Sequence, residues 1–396
     1  MRKVRAAGRP RLRGARIWRI PAAAACAAVL VASATSVRAQ VTPSATLQLE
    51  LRIDGNDDLV MFSFIRDLVP MPDGSVIVAE PREGRLRHFG ADGHLRGTFG
   101  RDGAGPGEYR AIGGMGQLGD SIWVRDIRLR RTTWLSRDGR LLGSMRWDVD
   151  ENARPGTGYV VEGYFRSGRA WGEPSASPAS VAVESAPRRI ELLSPNGTER
   201  LGSIAAVPSM HGRFRLMDGP TIVFGTQPFA DAPLVLASGA SERLVIVDRR
   251  SDHSRSRAFP VVAVSPRGDT LWTTRVRYQP RPIARSVRDS VVGRIVRISA
   301  RNGATEAQVR AALHLPAAYP PVTDAFEDND GRIWLRREDE GPRVVYQRLS
   351  AAGALDLEVS VGRSVRLRAA RGNLVWAIST DEDGVPSIER YAIIAR

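Results

Sequence analysis

Beyond residue 60, short apolar runs recur at nearly regular spacing with turn residues between them. The first unit opens on Asp73-Gly74 and continues with Ser75-Val76-Ile77-Val78-Ala79-Glu80. Arg85-Leu86-Arg87-His88-Phe89 comes next, then the turn Ala91-Asp92-Gly93 and the segment Leu95–Phe99. The pattern predicts turn, strand, strand, hairpin, strand. A second unit repeats it: Gly119-Asp120, Ser121–Asp126, Arg131–Leu135, the turn Arg137-Asp138-Gly139 and Leu141–Met145. Further units start at Ser167-Gly168, Asp330-Gly331 and Gly372-Asn373, and an apolar residue, usually Trp, recurs three or four positions after each turn.

The interval 205–280 is less regular. Aligning Leu244–Asp248 with Val76–Glu80, and Pro266-Arg267-Gly268-Asp269 with the later hairpin turn, gives six units. Starting a new first strand at Gly268–Trp272 gives seven. Six is the preferred count, because no second and third strand follow Trp272 before the pattern turns helical. Units of about 40 residues with several short strands predict an all-β fold, a β-propeller of six blades, with seven as the alternative. A helical insertion is expected at about 285–316. Val287, Val291, Ile295 and Ile298 share one helix face, Asn302-Gly303 reads as a stop, and Thr305 with Gln308 resembles a capping box. The final unit looks one strand short, and Thr46–Ile53 alternates enough to complete it. Such closure would remove an exposed sheet edge.

The formal net charge of +15 suggests a nucleic-acid partner until the charges are located. Residues 1–39 hold nine basic residues and no acid, which leaves +6 for the rest, where Arg is interspersed with Asp and Glu. That is a mixed-sign, solvated surface, and no nucleic acid is expected as partner. The basic start, the apolar run Pro21–Ser36 and the small residues of Val37-Arg38-Ala39 read as a signal peptide, residues 1–39, cut before Gln40. The propeller domain would then span 40–396 as a secreted or periplasmic monomer without a transmembrane segment. The one cysteine, Cys26, and the one lysine, Lys3, both lie in the signal. The mature chain would therefore have no disulfide, no thiol nucleophile, no Schiff-base lysine and no P-loop lysine.

The stretch Phe99-Gly100-Arg101-Asp102-Gly103-Ala104-Gly105-Pro106-Gly107-Glu108-Tyr109 resembles a loop of exported bacterial six-bladed β-propellers, similar to the NHL-type group. Val78-Ala79-Glu80 looks like the strand end where that group often has Val-Ala-Asp. The resemblance covers about residues 45–396 and implies the fold while saying little of function.

Candidate chemistry is sparse. The five histidines are scattered without a second ligand at metal spacing. Asp328-Asn329-Asp330-Gly331 and Asp381-Glu382-Asp383-Gly384 mimic part of a calcium loop but lack its downstream glutamate, and read as tight turns. The repeat phase places Glu80, Asp126, Asp248 and Arg337 at equivalent strand ends. Asp67 and Asp324 match at the start of the innermost strand, with Arg366 equivalent and Arg66 nearby. These eight residues are expected to ring one mouth of the channel, as a mixed-charge socket for a polar small molecule, a peptide or an envelope protein. The competing reading makes them inter-blade salt bridges and turn caps. A non-catalytic binding module without a cofactor is the first expectation. The alternatives are a metal-dependent, lactonase-like hydrolase or lyase using the carboxylates with calcium, and a structural module docking through the helices.

Overall fold

The computed structural model describes residues 43–54, 61–147, 158–175, 187–208, 213–218, 221–301, 303–337 and 341–395. The expected signal peptide and its cut site lie outside them. Six four-stranded antiparallel sheets follow one another along the described chain. The chain is a six-bladed β-propeller. Blade 1 holds β2 (Leu68–Pro70), β3 (Val76–Glu80), β4 (Arg85–Phe89) and β5 (Leu95–Phe99). Blade 2 holds β6 (Ile112–Leu118), β7 (Ser121–Asp126), β8 (Arg131–Ser136) and β9 (Leu141–Arg146). Blade 3 holds β10 (Tyr159–Tyr164), β11 (Ala170–Pro174), β12 (Arg188–Leu193) and β13 (Arg200–Val207), and a separate hairpin follows, β14 (Arg213–Asp218) with β15 (Thr221–Thr226). Blade 4 is β16 (Leu234–Leu236), β17 (Leu244–Val247), β18 (Ala258–Val264) and β19 (Thr270–Arg277). Blade 5 is β20 (Asp324–Glu327), β21 (Ile333–Arg337), β22 (Arg343–Leu349) and β23 (Leu355–Gly362).

Blade 6 closes the ring. Its strands β24 (Val365–Arg371), β25 (Leu374–Thr380) and β26 (Pro386–Ala395) take β1 (Ala45–Ile53) as their outermost member. The register runs antiparallel from Ala45 opposite Ala395 to Ile53 opposite Ile388, with a bulge between Leu49 and Leu51. This is the closure that the short final unit predicts, and it covers the edge β26 would otherwise expose.

The core lies between blades. Six apolar clusters sit one at each blade-to-blade interface, such as Leu86, Ile122 and Val124 between blades 1 and 2, and Trp334, Leu367 and Val375 between blades 5 and 6. The recurrent tryptophans explain themselves here. Trp123 stands opposite Gly116 and Trp171 opposite Gly163 on the adjoining inner strand. A Cβ at Gly116 would fall 2.6 Å from the Trp123 ring, so the indole takes space that only glycine leaves. In blade 5 the ring meets an aromatic instead, Phe326 stacking on Trp334 at 5.9 Å and 6°.

Inner strands all start at one rim, here the mouth rim. Long connections gather there: the Gly-rich loop, the β14–β15 hairpin and the helices α1 (Arg285–Ala300) and α2 (Glu306–Ala312). The far rim has mostly short hairpins. Thr305 and Gln308 do form a capping box on α2. The expected face of α1 needs correction. Val287 and Ile298 are exposed, and the helix packs through Val292, Ile295 and Val296 on Ala304, Val309 and Leu313. Two short helices that bury little beyond each other need only a narrow seam, so the wider apolar stripe is not all used.

Candidate functional site

A cavity of about 180 Å³ lies on the channel axis, lined by inner-strand residues that include Asp67, Met115, Gln117, Glu327, Asn329 and Arg368. That is well below the volume of a drug-sized pocket. At the far rim the hairpin Ala237–Arg243 reaches from blade 4 to blade 2. A Cβ on its Gly239 would fall 2.0 Å from the Gln117 carbonyl oxygen. Glu327 in blade 5 anchors this hairpin, accepting from the Ser238 amide at 2.8 Å and pairing with Arg243 at 3.0 Å. Burial pushes the Glu327 carboxyl up, against the pull of Arg243. Arg371 adds a second bridge, donating to Pro70 O at 3.1 Å and to Gln117 Oε1 at 2.5 Å.

The mouth is built by blades 1, 5 and 6. Arg368 donates through Nη1 to Asp324 Oδ2 at 3.0 Å and through Nη2 to Asp67 Oδ1 at 3.4 Å. Its Nη2 also meets the Arg66 carbonyl at 3.2 Å. Arg366 takes the same Asp324 oxygen with Nε at 2.9 Å and Nη2 at 2.6 Å. Arg368 sits at a bulge in β24 between Leu367 and Ala369, and both it and Arg366 reach the same carboxylate. Further round, Arg125 on β7 pairs with Glu162 on β10.

Of the eight residues expected here, Asp67, Asp324 and Arg366 are brought together with the Arg66 backbone. Arg337 ends β21 half-buried. Three others are held locally. Glu80 is wholly buried, gripped by both Arg87 and Arg85, with Arg87 resting over the Phe62 ring at 4.5 Å. Asp126, also wholly buried, accepts from the amides of Arg110, Ala111, Arg128 and Leu129. Asp248 is bonded by Arg250 and His253. Burial pushes its carboxyl up, but those two partners outweigh it and hold it below the ordinary value. Burial and full pairing take Glu80 and Asp126 out of reach of a channel ligand.

The five acids therefore do not converge, and among the described residues no three His, Cys, Asp or Glu side chains gather at metal-binding distance. A guanidinium stands between Asp67 and Asp324, where an oxygen-only cation site would need further carboxylates. The two calcium-loop mimics are turns: Asp328 accepts from the Asp330 and Arg332 amides and from Trp334 Nε1, and Asp381 from the Asp383 and Val385 amides. The Gly-rich loop is likewise spent on itself. Its Ala104, Gly105 and Glu108 carbonyls accept from Arg131, and Glu108 caps the Gly105 amide.

Arg368 and Glu327 are site residues that the repeat phase did not single out. The bulge at Arg368 breaks the alternation from Arg366, so periodicity carried no signal for it. Glu327 ends β20, so it does not share the phase followed above.

No protein-family model matches the sequence, and no curated protein matches it. Solved structures are distantly similar to it. A member of the DUF4221 family from Bacteroides vulgatus has 8% identity and a TM-score of 0.48, with 90% of this chain and 100% of that one covered. A Bacteroides fragilis protein inferred to be exported has 8% identity and a TM-score of 0.46, covering 89% and 99%. Regucalcin, a calcium-binding protein from Agrobacterium tumefaciens, has 12% identity and a TM-score of 0.41, covering 90% and 98%. At such identities and scores the likeness carries nothing about what this chain does.

Proposed function

We propose that this protein is an exported binding propeller that takes a small polar ligand at the mouth of its channel. The observation that carries this reading is the single guanidinium of Arg368 bonded to both Asp67 and Asp324 above a cavity bridged at its far end. Such a lattice offers donors and acceptors side by side in a concave, partly desolvated place, which suits a polar molecule or a peptide end. It offers no activated nucleophile. No described helix is long and apolar enough to cross a membrane. Export rests on the signal pattern, and the mass of the exported chain should correspond to a start at Gln40.

The test is calorimetric titration of the mature protein with succinate, glucose, glycine and trialanine, repeated on Asp324→Asn. One-to-one binding of at least one probe, weakened about tenfold or more in the variant, is expected for the loss of a charge-assisted bond. Binding that Asp324→Asn leaves unchanged refutes the site. The hydrolase or lyase reading keeps one supporting observation: Glu327 is a buried carboxyl with a raised pKa on the cavity wall, which a general acid needs.

A further inference from the structure

Helix α1 and its C-terminal cap, residues 285–301, carry five arginines and one acid. The acid, Asp289, is answered by Arg285 one turn earlier, at 3.6 Å. The helix buries one side only. Val292 and Ser299 are sealed there, and Ile295 and Val296 pack beside Val292 toward α2. With about 3.6 residues per turn, Val287, Arg294, Ile298 and Arg301 fall in one line along the far side, with Arg297 next to it. Arg301 keeps helical backbone angles, so it continues that line. All five residues are exposed. Asp289 falls away from this stripe and does not interrupt it.

Among the described residues, no ion pair, hydrogen bond or ring contact holds the side chain of Arg294, Arg297 or Arg301. The one acid of α2, Glu306, is taken by Arg310 at 2.7 Å. Three unanswered guanidinium groups thus share a helix face with Ile298, 57% exposed, and Val287, 38% exposed. The two apolar side chains stand about 16 Å apart along the axis. Water and salt ions satisfy the charges alone, but they do not cover the apolar side chains set among them. A partner that covers both offers anionic groups above an apolar layer. An anionic phospholipid bilayer has that order: phosphates at the surface for the arginines, acyl chains beneath for Ile298 and Val287. A guanidinium can also take a phosphate through two parallel bonds. An acidic polypeptide of solvated carboxylates would answer the arginines and leave Ile298 in water.

We propose that α1 is an interfacial anchor that lays this stripe on an anionic phospholipid surface. Arg294, Arg297 and Arg301 meet the phosphates, and Val287 and Ile298 enter the boundary between headgroups and acyl chains. The contact does not depend on any ligand in the channel mouth. Two apolar side chains and three charges make a reversible hold, which weakens as salt screens the charges.

The test is co-sedimentation of the whole mature chain with vesicles in low-salt buffer. One set is phosphatidylcholine alone, the other phosphatidylcholine with phosphatidylglycerol. The wild type should bind the second set and not the first, and should release as sodium chloride is raised. Arg297→Gln should weaken partition about fivefold, the usual worth of one cation at an anionic surface. The triple variant Arg294→Gln, Arg297→Gln, Arg301→Gln should lose about a hundredfold, and Ile298→Ser about fivefold. These side chains are exposed, so each variant should melt with the wild type. Should the triple variant misfold, Arg297→Gln and Ile298→Ser read the same face singly. A wild type that ignores phosphatidylglycerol vesicles overturns the proposal. Equal binding to neutral vesicles does so too, as does anionic-vesicle binding that the folded variants retain in full. Polyglutamate is titrated in parallel: binding that needs these arginines, with the vesicles silent, makes the face a protein-docking one and overturns the lipid partner.

Discussion

Gly239 of blade 4 and Gln117 of blade 2 meet across the channel, so closely that a Cβ on Gly239 would stand 2.0 Å from the Gln117 carbonyl oxygen. The obstacle is backbone, which cannot swing aside as a side chain can. Gly239→Ala must therefore displace the hairpin that bridges the far rim. We expect it to lower stability by about 1–3 kcal/mol, the usual cost of overpacking, read from the urea midpoint. An unchanged midpoint with unchanged cavity ligand binding would show that the hairpin is not seated there.

Closure by the N-terminal strand gives a second expectation. Ile53 is buried at the interface of blades 6 and 1, with Phe62, Phe89 and Trp376 in the same cluster. Ile53→Ala should cost about 2–5 kcal/mol, as core truncations do, and deletion of Ala45–Ile53 should expose the β26 edge and promote self-association. Sedimentation and thermal melting check both. A monomeric deletion variant with unchanged melting contradicts the closure.

Glu80 tests the inter-strand pairing. Replacing it with Gln leaves the Arg87 guanidinium buried against Phe62 without its carboxylate. Breaking one side of such a pair typically costs about 3–5 kcal/mol, so chemical unfolding of Glu80→Gln should show a loss of that order, with channel ligand affinity unaltered. Lost affinity in a stably folded Glu80→Gln would return this residue to the site.

A pH effect follows from Glu327. Its carboxyl is raised above the ordinary 4.5 by burial. The folded state thus holds this proton to higher pH than the unfolded state does, so the protonated form favours folding and its loss does not. As pH rises from the ordinary carboxylate value through the raised one, the wild type should lose stability relative to Glu327→Gln. Urea unfolding of both across that window reads it, and parallel curves contradict it.

The fold was legible because its signals are local. Asp-Gly turns, second-strand tryptophans and a final unit lacking its outer strand each report on one blade, and ring closure follows from the count. The site was less legible because its bonds join distant residues: Asp67 and Arg368 are 301 positions apart. Repeat phase gave Glu80, Asp126 and Asp248 one address. Neighbours then decided their fates: a buried arginine for the first, four amides for the second, Arg250 and His253 for the third. Periodicity likewise gave α1 an apolar stripe through Val287 and Ile298, but only its packing on α2 could show that both stay exposed.

The central claim is that a guanidinium, and not a bound cation, joins Asp67 to Asp324. Melting of the wild type, Asp324→Asn and Arg368→Leu with and without millimolar calcium tests it most directly. The account predicts no calcium shift in any of the three proteins, and a lower melting temperature for Asp324→Asn and Arg368→Leu, each of which breaks the shared pair. Calcium stabilisation of the wild type that vanishes in Asp324→Asn would contradict it and make the mouth a cation site.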